Sequence, residues 1–317
     1  MQKEEKKQEQ AARAAWMYYV AGKTQQEIAH ELGLSRQVAQ RLISMANEQG
    51  MVNVKITHPI SECLQLAQQL QQKYQLQLCQ IVPSGQLDSH AVNNMIAVAG
   101  AEVMAQCVAN AESTIIGVGS GKTLRSVIDA LPRLNHPAHQ CVSLIGAIAR
   151  DSSATRYDVP LWLAEKLQCK HFILPAPLYA DSLIDKQMWC QHRVYQDVTT
   201  KALHADVTFI GIGEVNLGCP LNSEGFITDE QVEKIKKQGA VAELLGHFIC
   251  ADGTRCQTEL DETLTSIPLM ENTSRSIIAF AGGDNKYLAI KAALTGRWIT
   301  GLVTDEHTVR KLLADKN

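Results

Sequence analysis

Residues 22–50 read GKTQQEIAHELGLSRQVAQRLISMANEQG, and this stretch decides the fold of the amino-terminal part of the chain. Thr24 is followed three residues later by Glu27, which is the pattern of a capping box at the start of a short helix. Gly33 supplies the open backbone that a tight turn needs, and Ser35 begins a second helix. The stretch therefore predicts two short helices joined by a tight turn.

The second of these helices has two different faces. Apolar residues recur at i, i+3, i+4 and i+7 and are expected to face a small core: Ala39, Leu42, Ile43 and Ala46. Polar residues follow the opposite side at the same spacing: Gln37, Gln40, Arg41 and Ser44. Arginine pairs with guanine and glutamine with adenine in the DNA major groove. Taken alone, such a stripe is more often a solvated helix face, but the preceding helix and turn favour a helix-turn-helix that reads DNA.

The predicted DNA contacts extend to both helix starts. Phosphate contacts are the better interpretation of Lys23 and Thr24, and base contacts that of the polar stripe. The full predicted set is Lys23, Thr24, Gln25, Ser35, Arg36, Gln37, Gln40, Arg41 and Ser44. A first helix over much of residues 4–21 is expected to bury Ala12, Ala15, Trp16, Tyr19 and Val20, and residues 51–56 alternate like a short wing strand.

Charge and length divide the chain in two. Residues 1–58 carry a net charge of about +2 and the remainder about −5, which excludes a broad nucleic-acid-coating surface on the larger part. With 317 residues and 45% hydrophobic content, the chain has room for a small domain and a large, well-filled one. We predict a DNA-binding domain at 1–58 and an effector and oligomerisation domain at 59–317. A weakly charged head is expected to bind DNA tightly only when two or more heads share one operator, which implies a homo-oligomer.

The sequence indicates neither a secretory leader nor a membrane span, so a cytoplasmic protein without a membrane partner is expected. Nine cysteines are scattered without a CxxC pair. Reduced, structural thiols are therefore expected, with no metal site and no cofactor.

Beyond residue 59, apolar runs alternate with helical stretches, which predicts a Rossmann-like, largely parallel α/β domain after a winged-type helix-turn-helix domain. The predicted strands are 78–82, 113–118, 140–145, 171–174, 207–212, 276–281 and 301–304. Several end in glycine. Because the carboxyl ends of parallel strands form the ligand crevice of such sheets, the glycine loops are candidate binding sites.

The loop Gly117-Val-Gly-Ser-Gly-Lys-Thr-Leu124 resembles a nucleotide-binding P-loop, but the spacing fails because Ile116 stands where the first glycine is required. Glycines at a helix start still turn backbone N–H groups toward an anion, and Lys122 and Thr123 add donors. A phosphate-sized anion is favoured over ATP, and a tight turn without ligand remains the alternative. Lys122 is also a less favoured candidate for a Schiff base with an aldose. Lys286 follows two glycines in a second such loop.

Several segments together resemble one family. The chain resembles the SorC-type sugar-binding transcriptional regulators nearly end to end, through residues 24–36, 117–124, 174–181, 207–213, 239–246, 281–286 and 302–305. The resemblance implies a helix-turn-helix head and an effector domain similar to phosphosugar isomerases and glucosamine-phosphate deaminases. It further implies a phosphorylated sugar as effector, dimers or tetramers, and control of genes for carbohydrate uptake and catabolism.

The resemblance also implies an effector site. The phosphate would meet the glycine loop and Lys286, the sugar hydroxyls would meet Glu243, and residues 175–178 would line the wall. The implied effector-binding residues are Gly119, Ser120, Gly121, Lys122, Thr123, Pro177, Leu178, Glu243 and Lys286. The chain departs from the family pattern at three positions: Glu243 replaces an aspartate, Ser120 replaces an aromatic residue that would stack on a sugar, and Ala39 replaces a β-branched residue.

Two other functions compete with this interpretation. A phosphosugar isomerase or deaminase would use acids and bases from the same crevice, and the candidates are Asp181, Glu214, Glu243 and His247. No catalytic residues are assigned, because an enzyme has no need of an operator-reading head. An ATP-using DNA-binding protein would rest on Gly-Lys-Thr alone, and the misplaced first glycine argues against it.

Overall fold

The computed structural model describes residues 2–52, 61–85, 87–109, 113–146, 148, 159–270 and 274–315. The chain divides into two compact units, Met1–Pro59 and Ile60–Asn317. The first is all-helical in its described part, and the second is an α/β body.

The amino-terminal unit consists of α1 (Gln2–Tyr19), α2 (Gln25–Glu31) and α3 (Arg36–Glu48). Thr24 caps α2 with a capping box and Ser35 caps α3 through its side-chain oxygen, so both helix starts lie where the sequence predicts. Gly33 has φ 65°, a left-handed conformation that allows the tight turn between them. The apolar stripe of α3 is buried as predicted: Ala39, Leu42, Ile43 and Ala46.

The inner face predicted for α1 is wrong. The helix packs through Ala11, Ala14 and Ala15, whereas Trp16 is 59% and Val20 67% exposed. Ala12 and Tyr19 are exposed as well, so of the predicted set only Ala15 is buried. Alanines let α1 approach α3 closely, so small residues fill this core and the large ones point outward. The predicted wing strand lies outside the described residues from 53 onward, and Met51 and Val52 have no regular structure.

The body is built on a seven-stranded parallel sheet. The described residues of the body form ten strands: β1 (Leu78–Val82), β2 (Ile115–Val118), β3 (Gln140–Ser143), β4 (Lys170–Phe172), β5 (Val207–Gly211), β6 (Gly213–Glu214), β7 (Ala240–Leu244), β8 (His247–Cys250), β9 (Ser276–Phe280) and β10 (Gly301–Asp305). The parallel sheet has the order β1-β10-β9-β5-β2-β3-β4. All seven predicted strands are present in it, which confirms the largely parallel α/β fold.

Helices cover both faces of this sheet. The described helices of the body are α4 (Ser61–Tyr74), α5 (Ser89–Ala109), α6 (Lys122–Ala130), α7 (Val159–Leu167), α8 (Leu183–Gln191), α9 (Arg193–Leu203), α10 (Pro220–Ser223), α11 (Asp229–Lys237), α12 (Tyr287–Thr295) and α13 (Glu306–Ala314). Two large apolar clusters fill the space between helices and sheet, one on each face.

One described helix, α5, is long and apolar enough to cross a membrane by length and composition. Half of the relevant window is buried inside the body. Gly100 shows how closely the helix packs, since a Cβ there would lie 2.8 Å from atoms of both Phe280 and Val127. The apolar character of α5 therefore has an explanation in the core.

A three-stranded antiparallel sheet, β6-β7-β8, adjoins the parallel one and was not predicted from the sequence. β6 has only two residues, which is too short for a periodic signal. The β7–β8 hairpin turns at Leu245 (φ 53°) and Gly246 (φ 83°), and this turn lacks the Asn-Gly or Asp-Gly pair that announces such hairpins.

The expectation that all nine cysteines are free thiols is wrong for one pair. Cys250 and Cys256 form a disulfide with Cα atoms 5.4 Å apart, because the chain turns back on itself after β8. The other seven are free. The two cysteines are six positions apart in the chain, a spacing that the CxxC pattern does not include.

Candidate functional sites

The exposed face of α3 presents the predicted polar stripe. Gln37, Gln40, Arg41 and Ser44 are all exposed and line a shallow groove of about 460 Å³ together with Met45 and Glu48. The stripe is fixed in orientation because the opposite side of the helix is buried in the core of the unit. The side chains that the sequence assigned to base contacts thus share one surface.

Several of the residues predicted to contact DNA at the helix starts also make hydrogen bonds or ion pairs within the amino-terminal unit. The Thr24 hydroxyl accepts a hydrogen bond from Glu27 N (3.3 Å) and donates to Glu27 Oε2 (2.8 Å). Lys23 pairs with Glu31. Ser35 Oγ accepts from Val38 N, while Arg36 is exposed and Gln25 is partly buried. These side chains order the helix starts, and the backbone around them remains at the surface.

In the body, a crevice of about 250 Å³ lies where the topology reverses direction. β2 leads to β3 on one side of the sheet, while its neighbour β5 leads to β9 on the other. The loops after β2, β5 and β9 therefore leave the same edge of the sheet from adjacent strands and diverge, which opens a gap between them. All three loops carry glycine and border the crevice.

The loop after β2 leads directly into α6. Gly121 is the N-cap of α6 with φ 130°, a conformation that strongly favours glycine, and no side-chain hydrogen bond caps this helix among the described residues. Thr123 is buried and Lys122 is exposed beside it. The free N–H groups of the first helical turn, with the positive end of the helix dipole, give this end of the crevice an affinity for anions.

Lys286 approaches the crevice from the loop after β9. Its Nζ donates to Ile212 O (2.8 Å) and lies 3.8 Å from Glu214 Oε2. Burial lowers the pKa of the Lys286 amine, and the positive charge of Lys122 lowers it further, while Glu214 and Glu243 oppose the shift. The amine is thus held between cationic and acidic neighbours.

Glu243 lies on β7 directly opposite Gly213 of β6. Its Oε1 accepts a hydrogen bond from Gly246 N (2.5 Å), and a Cβ at position 213 would come within 2.5 Å of Oε2. Burial raises the pKa of the Glu243 carboxyl, partly offset by the Gly246 hydrogen bond and by Lys286. Glycine at position 213 is therefore what leaves room for this carboxylate.

Seven of the nine predicted effector residues border the crevice: Ser120, Gly121, Lys122, Thr123, Leu178, Glu243 and Lys286. Gly119 is buried beneath the loop, where its N donates to Phe209 O (2.9 Å) and a Cβ would lie 2.9 Å from Leu245 Cδ2. Pro177 is not among the described residues that line the crevice, and its carbonyl accepts a hydrogen bond from Thr265.

The crevice also contains residues that the sequence did not assign to effector binding. Glu214 follows the glycine at the end of β5 and was indicated only as a possible acid or base, and Asn285 lies inside the second glycine loop. Others come from segments without a recognisable pattern: Asn93, Leu221, Glu224, Phe226 and Leu245. A glutamate three residues beyond the strand-end glycine Gly211 was the one signal that pointed to Glu214.

The four candidate acids and bases do not converge. Glu214 and Glu243 border the crevice, but Asp181 is exposed at the start of α8, where its N donates to Asp185. His247 is 4% exposed and lies beside Ser266 and the Ile267 carbonyl, outside the crevice lining. Among the described residues, no group of three or more His, Cys, Asp or Glu side chains is arranged to hold a metal ion.

Comparison with known proteins identifies the family. Residues 58–314 match the family model described as "Putative sugar-binding domain". The chain is 34% identical to the erythritol catabolism regulatory protein EryD of Brucella abortus (strain 2308) over 97% of each chain. It is 31% identical to the transcriptional regulator LsrR of Enterobacter sp. (strain 638), over 97% of this chain and 93% of that protein.

The same similarity holds in three dimensions. The crystal structure of the full-length sorbitol operon regulator SorC from Klebsiella pneumoniae matches with a TM-score of 0.75 and 26% identity, covering 96% of this chain and 97% of that one. The α/β body therefore has the architecture of the sugar-binding domain of a transcriptional regulator. The chain belongs to the SorC-type family of sugar-binding transcriptional regulators. It is a regulator and not an isomerase or deaminase, since its relatives are named regulators.

Proposed function

We propose that this regulator binds operator DNA through residues 1–58, a winged-type helix-turn-helix domain, and senses its effector through residues 59–317. The capped helices α2 and α3 with the exposed stripe of α3 support the first assignment. Arg41, Gln37 and Gln40 would contact base edges, and Lys23 and Thr24 the phosphates. Two or more heads from a homo-oligomer would share one operator, because a single weakly charged head binds poorly.

The effector that fits the crevice is a phosphorylated sugar. The observation that carries this proposal is the start of α6: Gly121, with no side-chain cap among the described residues, aims the N–H groups of the first turn into a crevice that also holds Lys122 and Lys286. A phosphate dianion satisfies those donors and the helix dipole together. Leu178 and Glu243 would then contact the sugar body.

Effector binding would regulate transcription by a population shift. An effector that binds one state of the body more tightly biases the equilibrium toward that state, and operator affinity follows. A coupling free energy of about 1–3 kcal/mol would change operator affinity about 5- to 150-fold. The names of the relatives support a carbohydrate uptake or catabolism operon as the target and the cytoplasm as the location.

A thermal-shift screen with phosphorylated sugars and their unphosphorylated counterparts tests the proposal. A ligand selective for the native state must raise the melting temperature. We expect a phosphorylated compound to raise the melting temperature of the wild type. This rise should be lost in the variants Gly121→Val, Thr123→Ala and Lys286→Ala. A Cβ at position 121 would have its nearest neighbour atom, Gly211 Cα, 3.9 Å away, but a valine there cannot adopt φ 130° without strain.

Ser126→Ala is the matched control, because Ser126 is an exposed residue of the same helix, α6, outside the crevice lining. It should respond like the wild type. If the ligand still raises the melting temperature of all three crevice variants, this phosphate site is ruled out. If only the unphosphorylated sugar raises the melting temperature of the wild type, a phosphorylated effector is ruled out.

A further inference from the structure

The crevice is lined by groups of opposite character. The start of α6 contributes its first-turn N–H groups together with Lys122 and Thr123. The antiparallel sheet contributes two carboxylates, Glu214 on β6 and Glu243 on β7. The two glutamates lie on adjacent antiparallel strands at successive register positions, with Gly213 paired to Glu243 and Glu214 paired to Ala242.

Glu214 has an unused acceptor. Within the described part of the chain, its Oε2 is buried and has no hydrogen-bond partner, and the nearest cation, Lys286 Nζ, lies 3.8 Å away. Its other oxygen is 3.4 Å from Asn285 Nδ2, which is a weak contact. A buried carboxylate oxygen without a partner is costly, so a ligand that donates a hydrogen bond there gains free energy.

Lys286 is shared among several partners in the crevice. Its amine already donates to the Ile212 carbonyl, and it interacts electrostatically with both glutamates and with Lys122. Glu243 in turn uses Oε1 for Gly246 N. Two carboxylates therefore share one partly committed lysine, and a second anionic group of a ligand would meet them directly.

We propose that the crevice selects a monophosphorylated polyol or sugar with an uncharged body, and that Glu214 is the residue that accepts its hydroxyl hydrogen bonds and rejects a second anion. This inference rests on the proposed phosphosugar site and narrows its ligand class. Bisphosphorylated sugars and phosphorylated sugar acids would be excluded by charge.

Isothermal titration calorimetry with matched ligand sets tests this. Each set has four to six carbons and combines a neutral-bodied monophosphate, the corresponding phosphorylated aldonic acid, a bisphosphate and the unphosphorylated polyol. For example, one set is glucitol 6-phosphate, 6-phosphogluconate, glucitol 1,6-bisphosphate and glucitol. In every set that binds, the neutral-bodied monophosphate should bind at least tenfold more tightly than the acid and the bisphosphate.

Glu214→Gln keeps the side-chain shape and an acceptor oxygen but removes the charge. In this variant the discrimination, measured as the ratio of the dissociation constants of the acid and of the bisphosphate to that of the monophosphate, should fall by at least threefold. Glu262→Gln, an exposed residue outside the crevice lining, is the charge-matched control and should discriminate like wild type.

The outcomes separate this inference from the proposed function. A bisphosphate or phosphorylated acid that binds as tightly as the monophosphate would overturn the inference and leave the phosphate site standing. Unchanged discrimination in Glu214→Gln would remove Glu214 from the selection. Binding of only the unphosphorylated polyol, or of no compound in any set, would overturn the phosphate site and the inference together.

Discussion

The reading face of α3 and the crevice of the body are built in different ways. Gln37, Gln40, Arg41 and Ser44 lie within eight consecutive residues of one helix, so helical periodicity alone puts them on one surface. The crevice joins Gly121 and Lys286, which are far apart in the chain and meet only because β2 and β9 flank β5 in the sheet. A local surface depends on one helix being folded, whereas an assembled crevice depends on the entire sheet.

This contrast predicts that the two units unfold independently of each other. Ile28 is fully buried in the small core of the amino-terminal unit, and aspartate there would bury an unpaired charge at a cost of several kcal/mol. Ile28→Asp should therefore abolish operator binding and lower helicity, while the melting transition of the body and its response to effector stay unchanged. Calorimetry, circular dichroism and gel shifts check this.

Gln26→Asp is the control, since Gln26 is exposed on the same helix, and it should retain operator binding. Loss of the melting transition of the body in Ile28→Asp would show that the two units do not fold independently.

A smaller effect is expected on the reading face. Arg41→Ala should weaken operator binding by about 1–3 kcal/mol without changing effector binding, because one bidentate base contact is lost. Gel shifts with the operator and with an unrelated duplex measure it. Arg13→Ala, which removes an exposed arginine paired with Glu9 on α1, should be near neutral. An equal loss on both duplexes would make Arg41 a phosphate contact instead.

The smallest effect concerns the crevice without ligand. Burial raises the pKa of Glu243, so the folded state holds this proton more tightly than the unfolded state. The free energy of unfolding must then fall as pH rises from the unfolded pKa through the folded one. Glu243→Gln does not titrate, so its free energy of unfolding does not decrease in this way, and its amide oxygen still accepts the hydrogen bond from Gly246 N. Its melting temperature should therefore exceed that of wild type by a few degrees at neutral pH.

Thermal melts between acidic and neutral pH, with Glu262→Gln as the exposed control, measure this difference. It should shrink toward zero at a pH below the unfolded pKa of a glutamate. A difference that stays constant with pH would show that the carboxyl of Glu243 does not carry the linkage.

The errors of sequence interpretation follow the same division between local and assembled features. In α1, alanines and large apolar residues give overlapping helical stripes, and only packing against α3 shows that Ala11, Ala14 and Ala15 face inward. The β6–β8 sheet and the Cys250–Cys256 disulfide depend on a hairpin with an atypical turn.

The sequence by itself determined the capped helices α2 and α3, the seven parallel strands and the glycine loops, because caps, periodicity and strand-end glycines act within a few residues. The tertiary structure alone decided that Glu214 joins Glu243 and Lys286 in the crevice. Strand order sets those distances, and strand order is fixed by how the whole sheet buries its apolar faces, which no single stretch of the chain encodes.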